Sequence, residues 1–307
     1  MNTNRNKSVF PLFEEGVRGS LLLLLALFAT LSLHAQVVEV YKAGNILYSC
    51  NDADSIVFRS LPKDAFSVSA TKLVRFSKGN LQYTQSTQTW SFADNQYDMI
   101  GDANVSNGGL ADKIDLFGWS GSTATAQWGI STSKDCSDYS GDFVDWGKNI
   151  GDGETWYTLT LDEWSYLLSE RTNADQLKGV ARINLNDDGS KYANGLVLLP
   201  DSWTCPAGVT FKSGFSDTYS GQAYADYQTF TLSVWLLLES AGAVFLPVSG
   251  SRDGSDVYFV MLGRGNYRSA TPRGSDDAYY LYFSTREANA YGGNRNNGQA
   301  VRLVRDL

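Results

Sequence analysis

Short apolar runs separated by turn-forming residues set the strongest limit on how this chain can fold. From residue 66 onward such runs follow one another, with Gly, Asn, Ser and Asp between them; the tail alone holds "DVYFVML", "NYRSATP", "AYYLYFS" and "AVRLV". This pattern predicts short strands joined by turns, and the 29 glycines favour a loop-rich β protein. Residues 101–153 show no clear periodicity, which predicts long ordered loops. No repeat of fixed period is visible, so we expect one main domain.

One helix is predicted inside "TLTLDEWSYLLSER". Thr160 is followed three residues later by Glu163, the spacing of a capping box. Trp164, Leu167 and Leu168 then fall on one apolar stripe at helical spacing.

A second helix is predicted from Leu232 to Ser240, where Gly242 supplies the stop signal. The apolar run "AVFLPV" after it predicts a buried strand that ends at Pro247. With the strand pattern, the two helices predict an α+β fold of short antiparallel strands and long ordered loops.

Residues 1–35 predict an export signal. A weakly basic start precedes the apolar run "LLLLLALFATLSL", and the small residue Ala35 precedes Gln36 at an acceptable cleavage site. The run is shorter than the roughly 20 residues of a membrane span, so no span is expected after cleavage. The mature protein, residues 36–307, is therefore expected in the periplasm, at the cell surface or outside the cell.

Residues 36–62 predict a small N-terminal β segment before the main domain at 63–307. "VVEVYKAGNILYSC" alternates loosely around Gly44-Asn45, which reads as a hairpin, and "DSIVFRS" adds a further short run. Pro62 marks the junction.

The cysteines and the single histidine limit which disulfides, catalytic groups and metal sites the chain can form. The cysteines are Cys50, Cys136 and Cys205, and export favours one disulfide, for which we prefer Cys136 with Cys205. The only histidine, His34, lies in the signal, so the mature chain lacks Ser-His-Asp and Cys-His catalysis and His-ligated zinc. Without a CxxC spacing no metal cluster is expected, and we predict a protein that is not an enzyme and needs no cofactor.

The mature chain is acidic, with 22 basic and 31 acidic residues and a net charge of −9. Nucleic acid is therefore not an expected partner. The stretch "NLNDDG" at 184–189 resembles the start of a calcium loop, but position 195 is Gly where an EF-hand needs a bidentate acid, so an Asx-rich turn is the better interpretation.

The motifs "FSVSATKLVRFSKGNLQY", "DLFGWSGS", "LTLDEWSYLLSERTNA", "GLVLLPDSW", "ESAGAVFLPVSG" and "GQAVRLVRDL" occur in this order over residues 66–307. In these the chain resembles the Fibrobacter succinogenes major paralogous domain family of exported bacterial proteins. The resemblance implies a C-type-lectin-like fold, related to the formylglycine-generating sulfatase-modifying enzymes and to variable proteins of diversity-generating retroelements. It also implies that the last strand returns beside the first strands of the domain.

The chain departs from relatives of that fold in its chemistry. It lacks the "EPN", "QPD" and "WND" motifs of calcium-dependent sugar binding and the C-terminal cysteine pair of the sulfatase-modifying enzymes. "YRSATP" carries Arg268 where relatives often have Trp. In retroelement variable proteins the C-terminal residues differ between copies, and a single sequence does not show such variation.

The tail, residues 250–307, has the composition of a binding surface: eight Arg and no Lys, six Tyr and five Asn, with a net charge of +2 against −11 for the rest of the mature chain. Tyr offers rigid amphipathic area, Arg a planar fork and Asn adaptable hydrogen bonds. The ligand is an unidentified protein or glycan, and the candidate binding residues are Arg264, Asn266, Tyr267, Arg268, Arg273, Tyr291, Asn294, Arg295, Asn296 and Asn297.

Specific expectations follow for the closing segment "YGGNRNNGQAVRLVRDL". Val301, Leu303 and Val304 should be buried in a final strand, whereas residues 294–297 should be exposed in a Gly-rich display loop. Replacing Arg268, Tyr291 and Arg295 together by Ala should then weaken binding without unfolding the domain.

Two alternatives to a tail site remain. Trp119, Trp128, Trp146 and Trp156 lie in Gly-rich loops, where they either stack on sugar rings or, as we favour, anchor the loops to the core. The other alternative is a structural or assembly component of the cell envelope that has no specific ligand.

Overall fold

In the computed structural model, the backbone is described for Val37–Lys42 and Asn45–Asn51, and whole residues for 61–258 and 263–307. With 35% of residues in strands and 16% in helices, the chain is a mixed α+β protein in which strands predominate. It divides into two compact units, Met1–Arg59 and Ser60–Leu307.

The first unit contains an antiparallel pair of strands, β1 (Val37–Lys42) and β2 (Asn45–Asn51). The pairing confirms the predicted hairpin. Its Gly44, the predicted export signal at 1–35 and the short run at 54–60 lie outside the described residues, as does the side chain of Cys50.

The second unit is built from many short strands, as the alternating pattern predicts. In chain order they are β3 (Phe66–Ser67), β4 (Leu73–Phe76), β5 (Leu81–Thr84), β6 (Thr89–Phe92), β7 (Val105–Ser106), β8 (Gly109–Leu110), β9 (Lys113–Ile114), β10 (Tyr157–Thr158), β11 (Lys178–Asn184), β12 (Tyr192–Leu198), β13 (Thr229–Thr231), β14 (Val244–Pro247), β15 (Ser251–Asp253), β16 (Asp256–Tyr258), β17 (Gly265–Arg273), β18 (Asp277–Phe283), β19 (Ala288–Asn294) and β20 (Leu303–Asp306).

Both predicted helices are present, and one short helix was not predicted. The α-helices are α1 (Leu161–Ser165), which continues as a π-helical turn over Tyr166–Glu170, α2 (Ala223–Tyr227) and α3 (Leu232–Ser240). One-turn 3₁₀ helices occur at Gly101–Asn104, Gln127–Gly129, Cys136–Tyr139 and Trp146–Asn149, within the region predicted as ordered loops. The unpredicted α2 is a single turn, too short for a helical period to show in the sequence.

Local signals account for where α1 and α3 begin and end. The Thr160 hydroxyl accepts a hydrogen bond from the Glu163 backbone N–H at 3.2 Å, and the Glu163 carboxylate accepts one from the Thr160 N–H at 2.9 Å, which completes the capping box. At α3 the Thr231 hydroxyl accepts a hydrogen bond from the Val234 N–H, an N-cap without the reciprocal carboxylate bond. After α3, Gly242 adopts a φ of +103°, and the chain turns into the fully buried strand β14.

The closing strand β20 lies between β10 and β4 in a four-stranded sheet of order β10-β20-β4-β3. Val304 is paired with Phe76 on one side and with Tyr157 on the other, antiparallel in both cases. The expected return of the last strand beside the first strands of the domain is thus confirmed. The other larger sheets have the orders β13-β11-β12-β14, β17-β18-β19 and β6-β5-β9.

The apolar side chains of residues 301–304 pack into two different hydrophobic clusters of the core. Val301, Leu303 and Val304 have no exposed surface, as predicted. Val304 belongs to the cluster that buries Trp164, Leu167 and Leu168, whereas Val301 and Leu303 pack in a second cluster with Trp146. A third cluster, around Trp235 and Phe245, packs α3 against the sheet of β11, β12 and β14.

The predicted disulfide between Cys136 and Cys205 is wrong, because both cysteines are free. The Cys136 thiol donates a hydrogen bond to Asn296 Oδ1 at 3.2 Å, and the Cys205 thiol donates one to the Val209 carbonyl oxygen at 3.2 Å. Each thiol therefore faces its own neighbours and not the other cysteine. The pair was preferred because both cysteines lie in the main domain, but only the fold decides which Cβ atoms meet.

Asp115, at the start of "DLFGWSGS", is a buried carboxylate that fixes the 3₁₀ turn before β7. Its two oxygens accept hydrogen bonds from the Asn104 side-chain amide at 2.7 Å and the Ile100 backbone N–H at 2.9 Å. Burial nevertheless raises the pKa of Asp115 to about 6, since desolvation of the charged form outweighs these hydrogen bonds.

The raised pKa of Asp115 predicts that the charged carboxylate lowers stability near neutral pH. Between the unfolded pKa of 3.8 and the folded pKa of about 6, the folded state keeps a proton that the unfolded state has lost. Stability from this residue is therefore fully present below the lower value and falls as pH rises through the window, by about 3 kcal/mol. Denaturant unfolding of the wild type and Asp115→Asn at closely spaced pH values isolates the effect, and a difference between the two that stays constant from pH 4 to 7 would contradict it.

Candidate ligand-binding face

The three-stranded sheet of β17, β18 and β19 places a row of tyrosines on one face. Arg268 in β17 is paired with Tyr280 in β18, and Tyr280 is paired with Tyr291 in β19. Because directly paired residues share a face and alternate residues repeat it, Tyr280, Tyr282 and Tyr291 lie on the same side, which we call the tyrosine face. The opposite side carries Tyr267, Leu281 and Phe283, all fully buried in the core.

Side chains of the tyrosine face are partly exposed and ordered by contacts with one another. Tyr291 is 43% exposed, and its ring meets the ring of Tyr282 edge to face, with centroids 5.4 Å apart. The Tyr291 hydroxyl donates a hydrogen bond to Glu287 at 3.0 Å, and the Asn289 side-chain amide donates to the same carboxylate oxygen at 2.7 Å. These contacts fix a surface that is apolar in its rings and polar at its edges.

A groove of about 330 Å³ opens beside this face. It is lined by Tyr219, Tyr282, Ser284, Arg286 and Glu287. Its volume falls at the small end of the range for ligand sites in proteins.

Hydrogen bonds hold the two walls of the groove together. The Thr285 hydroxyl donates to the Thr218 carbonyl oxygen at 2.7 Å, and the Thr285 carbonyl accepts from the Ser216 N–H at 2.7 Å. Arg264 contacts the Tyr219 hydroxyl, and its guanidinium carbon lies 5.2 Å from the centre of the Tyr219 ring. The loop that carries Tyr219 is therefore fixed against the turn after β18, and contacts within the protein hold both walls of the groove.

Three phenols of the tyrosine face, those of Tyr280, Tyr282 and Tyr291, have raised pKa values and are neutral at physiological pH. Burial raises the pKa of Tyr280 and of Tyr282 above the usual value, and the hydrogen bond to Glu287 raises that of Tyr291. Neutral phenols both donate and accept hydrogen bonds, so the face can meet hydroxyl and amide groups as well as apolar surface.

Five of the ten candidate residues are buried, which corrects the prediction that they bind a ligand directly. Their exposed fractions are small: Asn266 5%, Tyr267 0%, Arg268 1%, Arg295 4% and Asn296 4%.

Arg268 is on the same side of the sheet as Tyr280 but is buried, and it holds the loop after β19 in place. Its guanidinium donates hydrogen bonds to the carbonyl oxygens of Asn294 at 3.3 Å, Arg295 at 3.1 Å and Asn297. Burial lowers its pKa to about 9, which still leaves it protonated near neutral pH. Arg268 thus holds the shape of the loop, because its guanidinium joins three of the loop's carbonyl groups, among them that of Asn297, for which no other donor is found in the described residues.

Arg295 and Asn296 point inward for a similar reason, so the expected exposure of residues 294–297 is wrong for these two. Arg295 donates to the carbonyl oxygens of Gly141 at 3.0 Å and Gly274 at 2.9 Å, and its guanidinium carbon lies 5.2 Å from the Trp119 ring centre. Asn296 donates to Asp253 at 3.0 Å and accepts from the Cys136 thiol. Asn294 is exposed, as predicted, and Asn297 is half-buried.

Because Arg268 and Arg295 are interior, replacing them together with Tyr291 cannot be expected to leave the fold intact. The glycines expected in a display loop are also placed differently. Gly292 and Gly293 belong to strand β19, and Gly298 packs against the Arg252 side chain.

The remaining candidates divide between the two faces of the sheet. Arg264 and Tyr291 lie at the tyrosine face, and the Asn297 amide lies beside Gly293 next to Tyr280. Arg273 is exposed, but it lies over Gly292 and 5.9 Å from the Tyr279 ring centre, on the other side of the sheet.

Residues absent from the sequence-based candidate list complete the site. The alternation in "AYYLYFS" contained a signal for Tyr280 and Tyr282, since every second residue of a strand faces the same way. Tyr219 carries no such signal. It comes from a distant loop that is held at the groove by the hydrogen bonds of Thr285 and by the contact of Arg264 with Tyr219.

The loop tryptophans are anchors, as favoured above. Trp119 and Trp146 are fully buried, and the Trp146 indole donates to the Trp128 carbonyl oxygen at 2.9 Å. Trp128 and Trp156 are partly buried and pack against the cluster around Trp146.

The turn at "NLNDDG" is closed by its own side chains. Asn186 accepts from the Lys191 N–H at 3.0 Å and Asp188 from the Ser190 N–H at 2.8 Å, which is the Asx-rich turn predicted. Within the described residues, no three His, Cys, Asp or Glu side chains come together as a metal site would require.

A larger cleft, of about 370 Å³, lies away from the tail. It is lined mainly by Leu199, Trp203, Val209 and Phe211, with no charged side chain. The groove beside the tyrosine face is the better candidate because aromatic, cationic and hydrogen-bonding groups converge there.

Comparison of the chain with protein-family models, with curated proteins and with solved structures found no match. In the part of the chain that the structure describes, no helix has the length and hydropathy needed to cross a bilayer.

Proposed function

We propose that this is an exported, adhesin-like ligand-binding protein without enzymatic activity, which uses the tyrosine face and its groove to bind a protein or glycan. The observation that carries the proposal is the convergence of Tyr219, Tyr282 and Tyr291 with Arg264 around a preformed groove. Exposed Tyr and Arg side chains of this kind supply much of the binding energy at protein recognition sites.

We further propose a C-type-lectin-like fold of the kind found in the Fibrobacter succinogenes major paralogous domain family. The pairing of β20 with β4 and the order of α1, α3 and β14 along the chain support it. The export signal at residues 1–35 supports a location in the periplasm, at the cell surface or outside the cell.

A second candidate function is a structural component of the cell envelope that assembles through apolar contacts. Leu236 and Leu237 on α3 favour it, since they are 49% and 50% exposed. Large apolar side chains that lie side by side on a surface suit a protein contact.

Screening the mature protein on glycan and protein arrays separates the two functions. Replacing Tyr282 and Tyr291 together by Ala should weaken binding of the captured ligand at least tenfold, or about 1.4 kcal/mol, because both rings leave the face. Affinity is measured by calorimetry, and the midpoint of thermal unfolding should change little.

Tyr192→Ala is the matched control, because Tyr192 is 49% exposed on β12, away from the tail. Equal affinities for the double variant and the control would place the binding site elsewhere. No captured ligand, together with self-association that Leu236→Asp abolishes, would favour the structural function.

A further inference from the structure

We infer that the groove beside the tyrosine face binds an acidic saccharide, a sugar unit that carries a carboxylate or a sulfate group. The inference rests on the proposed function and specifies the ligand of the same site.

The charges around the groove favour an anion. Arg286 lines the groove, is exposed and forms no ion pair with any residue that the structure describes. Arg264 contacts Tyr219 on the opposite wall of the groove. The one acid in the lining, Glu287, already accepts hydrogen bonds from Asn289 and Tyr291. A planar guanidinium free to form two parallel hydrogen bonds suits a carboxylate or sulfate.

This local charge contrasts with the rest of the chain. Outside the tail the mature protein carries a net charge of −11, which repels acidic ligands from most of its surface. Several tail arginines are buried, so the favourable contact for an anionic ligand is the exposed Arg286 at the groove.

The shape and the neutral lining favour a sugar over a peptide. The rings of Tyr219 and Tyr282 offer flat apolar walls to the C–H faces of a pyranose. Phenol and hydroxyl groups, including that of Ser284, both donate and accept hydrogen bonds, as sugar hydroxyls do. A short groove lined by five residues suits a compact ring better than an extended chain.

The test uses three probes with the mature protein: a disaccharide that contains glucuronate, the neutral glucose disaccharide of the same linkage, and a tetraglutamate peptide. Calorimetry should show at least tenfold tighter binding of the acidic disaccharide than of the neutral one. The preference should weaken as salt is raised, because the anion contact is partly screened.

Arg286→Gln should reduce affinity for the acidic disaccharide at least tenfold and abolish the preference over the neutral one. Arg273→Gln is the matched control: it removes the same charge from the other side of the same sheet and should leave both affinities unchanged. Thermal unfolding of both variants checks that the fold is retained.

Several results would overturn the inference. They are equal affinity for the acidic and neutral sugars, tighter binding of tetraglutamate, or an acidic-sugar affinity that Arg286→Gln leaves unchanged. If the arrays yield a ligand sensitive to Tyr282 and Tyr291 while the acidic disaccharide does not bind, the saccharide assignment fails and the binding function stands. If neither arrays nor probes bind, both fail.

Discussion

A chain that lacks residues 301–307 should not fold. The segment carries β20, which pairs with both β4 and β10, and the carbonyl oxygens of Val301 and Leu303 accept hydrogen bonds from Leu81 and Ser77. Burying Val301, Leu303 and Val304 contributes about 1.5–3 kcal/mol each. Their combined loss, with the strand's hydrogen bonds, is comparable with the total stability of about 5–15 kcal/mol of a typical domain.

Circular dichroism and amide NMR dispersion of the truncated protein measure the outcome. Deleting Leu307 alone is the control, since this residue is 47% exposed and its N–H makes one backbone hydrogen bond, to Leu73, at 3.1 Å. A truncated chain with a cooperative unfolding transition like that of the control would show that β20 is dispensable and that the core closes without it.

Arg268→Ala should lower the free energy of unfolding by about 1–3 kcal/mol. The substitution leaves the Asn297 carbonyl group without its donor, and a buried unpartnered group costs about 1–3 kcal/mol. The carbonyl groups of Asn294 and Arg295 each lose one donor but keep a backbone N–H, that of Asn297 and that of Trp119. Removing a buried charge offsets part of this loss, because burial disfavours the guanidinium cation and lowers its pKa.

Guanidinium chloride denaturation quantifies the change, and Arg273→Ala on the same strand is its control. Arg273 is exposed, so its removal should alter stability by no more than about 0.5 kcal/mol. Arg268→Lys should fall between the two, since an ammonium group keeps the charge but not the planar fork. Equal stability of the Arg268→Ala and Arg273→Ala variants would contradict the structural role of Arg268. It would make Arg268 a candidate binding residue again.

Arg268 is buried, whereas Arg264 lies at the groove, so amino-acid composition alone does not tell which arginines can bind a ligand. Tyr, Arg and Asn in a Gly-rich tail are typical of binding surfaces, yet the same side chains can line an interior whose loops need donors for their carbonyl groups. Arg268, Arg295 and Arg302 do so here: Arg302 donates to the side chains of Asn80 at 3.3 Å and Gln96 at 2.9 Å. These three buried arginines hold separate loops together by hydrogen bonds.

Short-range patterns in the sequence determined much of the fold. The capping box at Thr160, the run from Leu232 to Ser240 and the alternation around Leu303 each depend on residues within one or two turns or one strand. Helix caps and apolar periodicity express the hydrogen-bonding and burial needs of the segment itself, so they can be read without knowing what the segment packs against.

Tertiary structure alone decided which polar residues are inside. Arg295 is buried because Gly141 and Gly274, far from it in sequence, present carbonyl oxygens to its guanidinium; the Cys136 thiol meets Asn296 and not Cys205; and Tyr219 joins Tyr282 across a groove. A polar side chain is buried where partners compensate its lost hydration, and those partners come from distant segments. The sequence by itself determined the two predicted helices and the closing strand, whereas the site depended on contacts that exist only once the chain has folded.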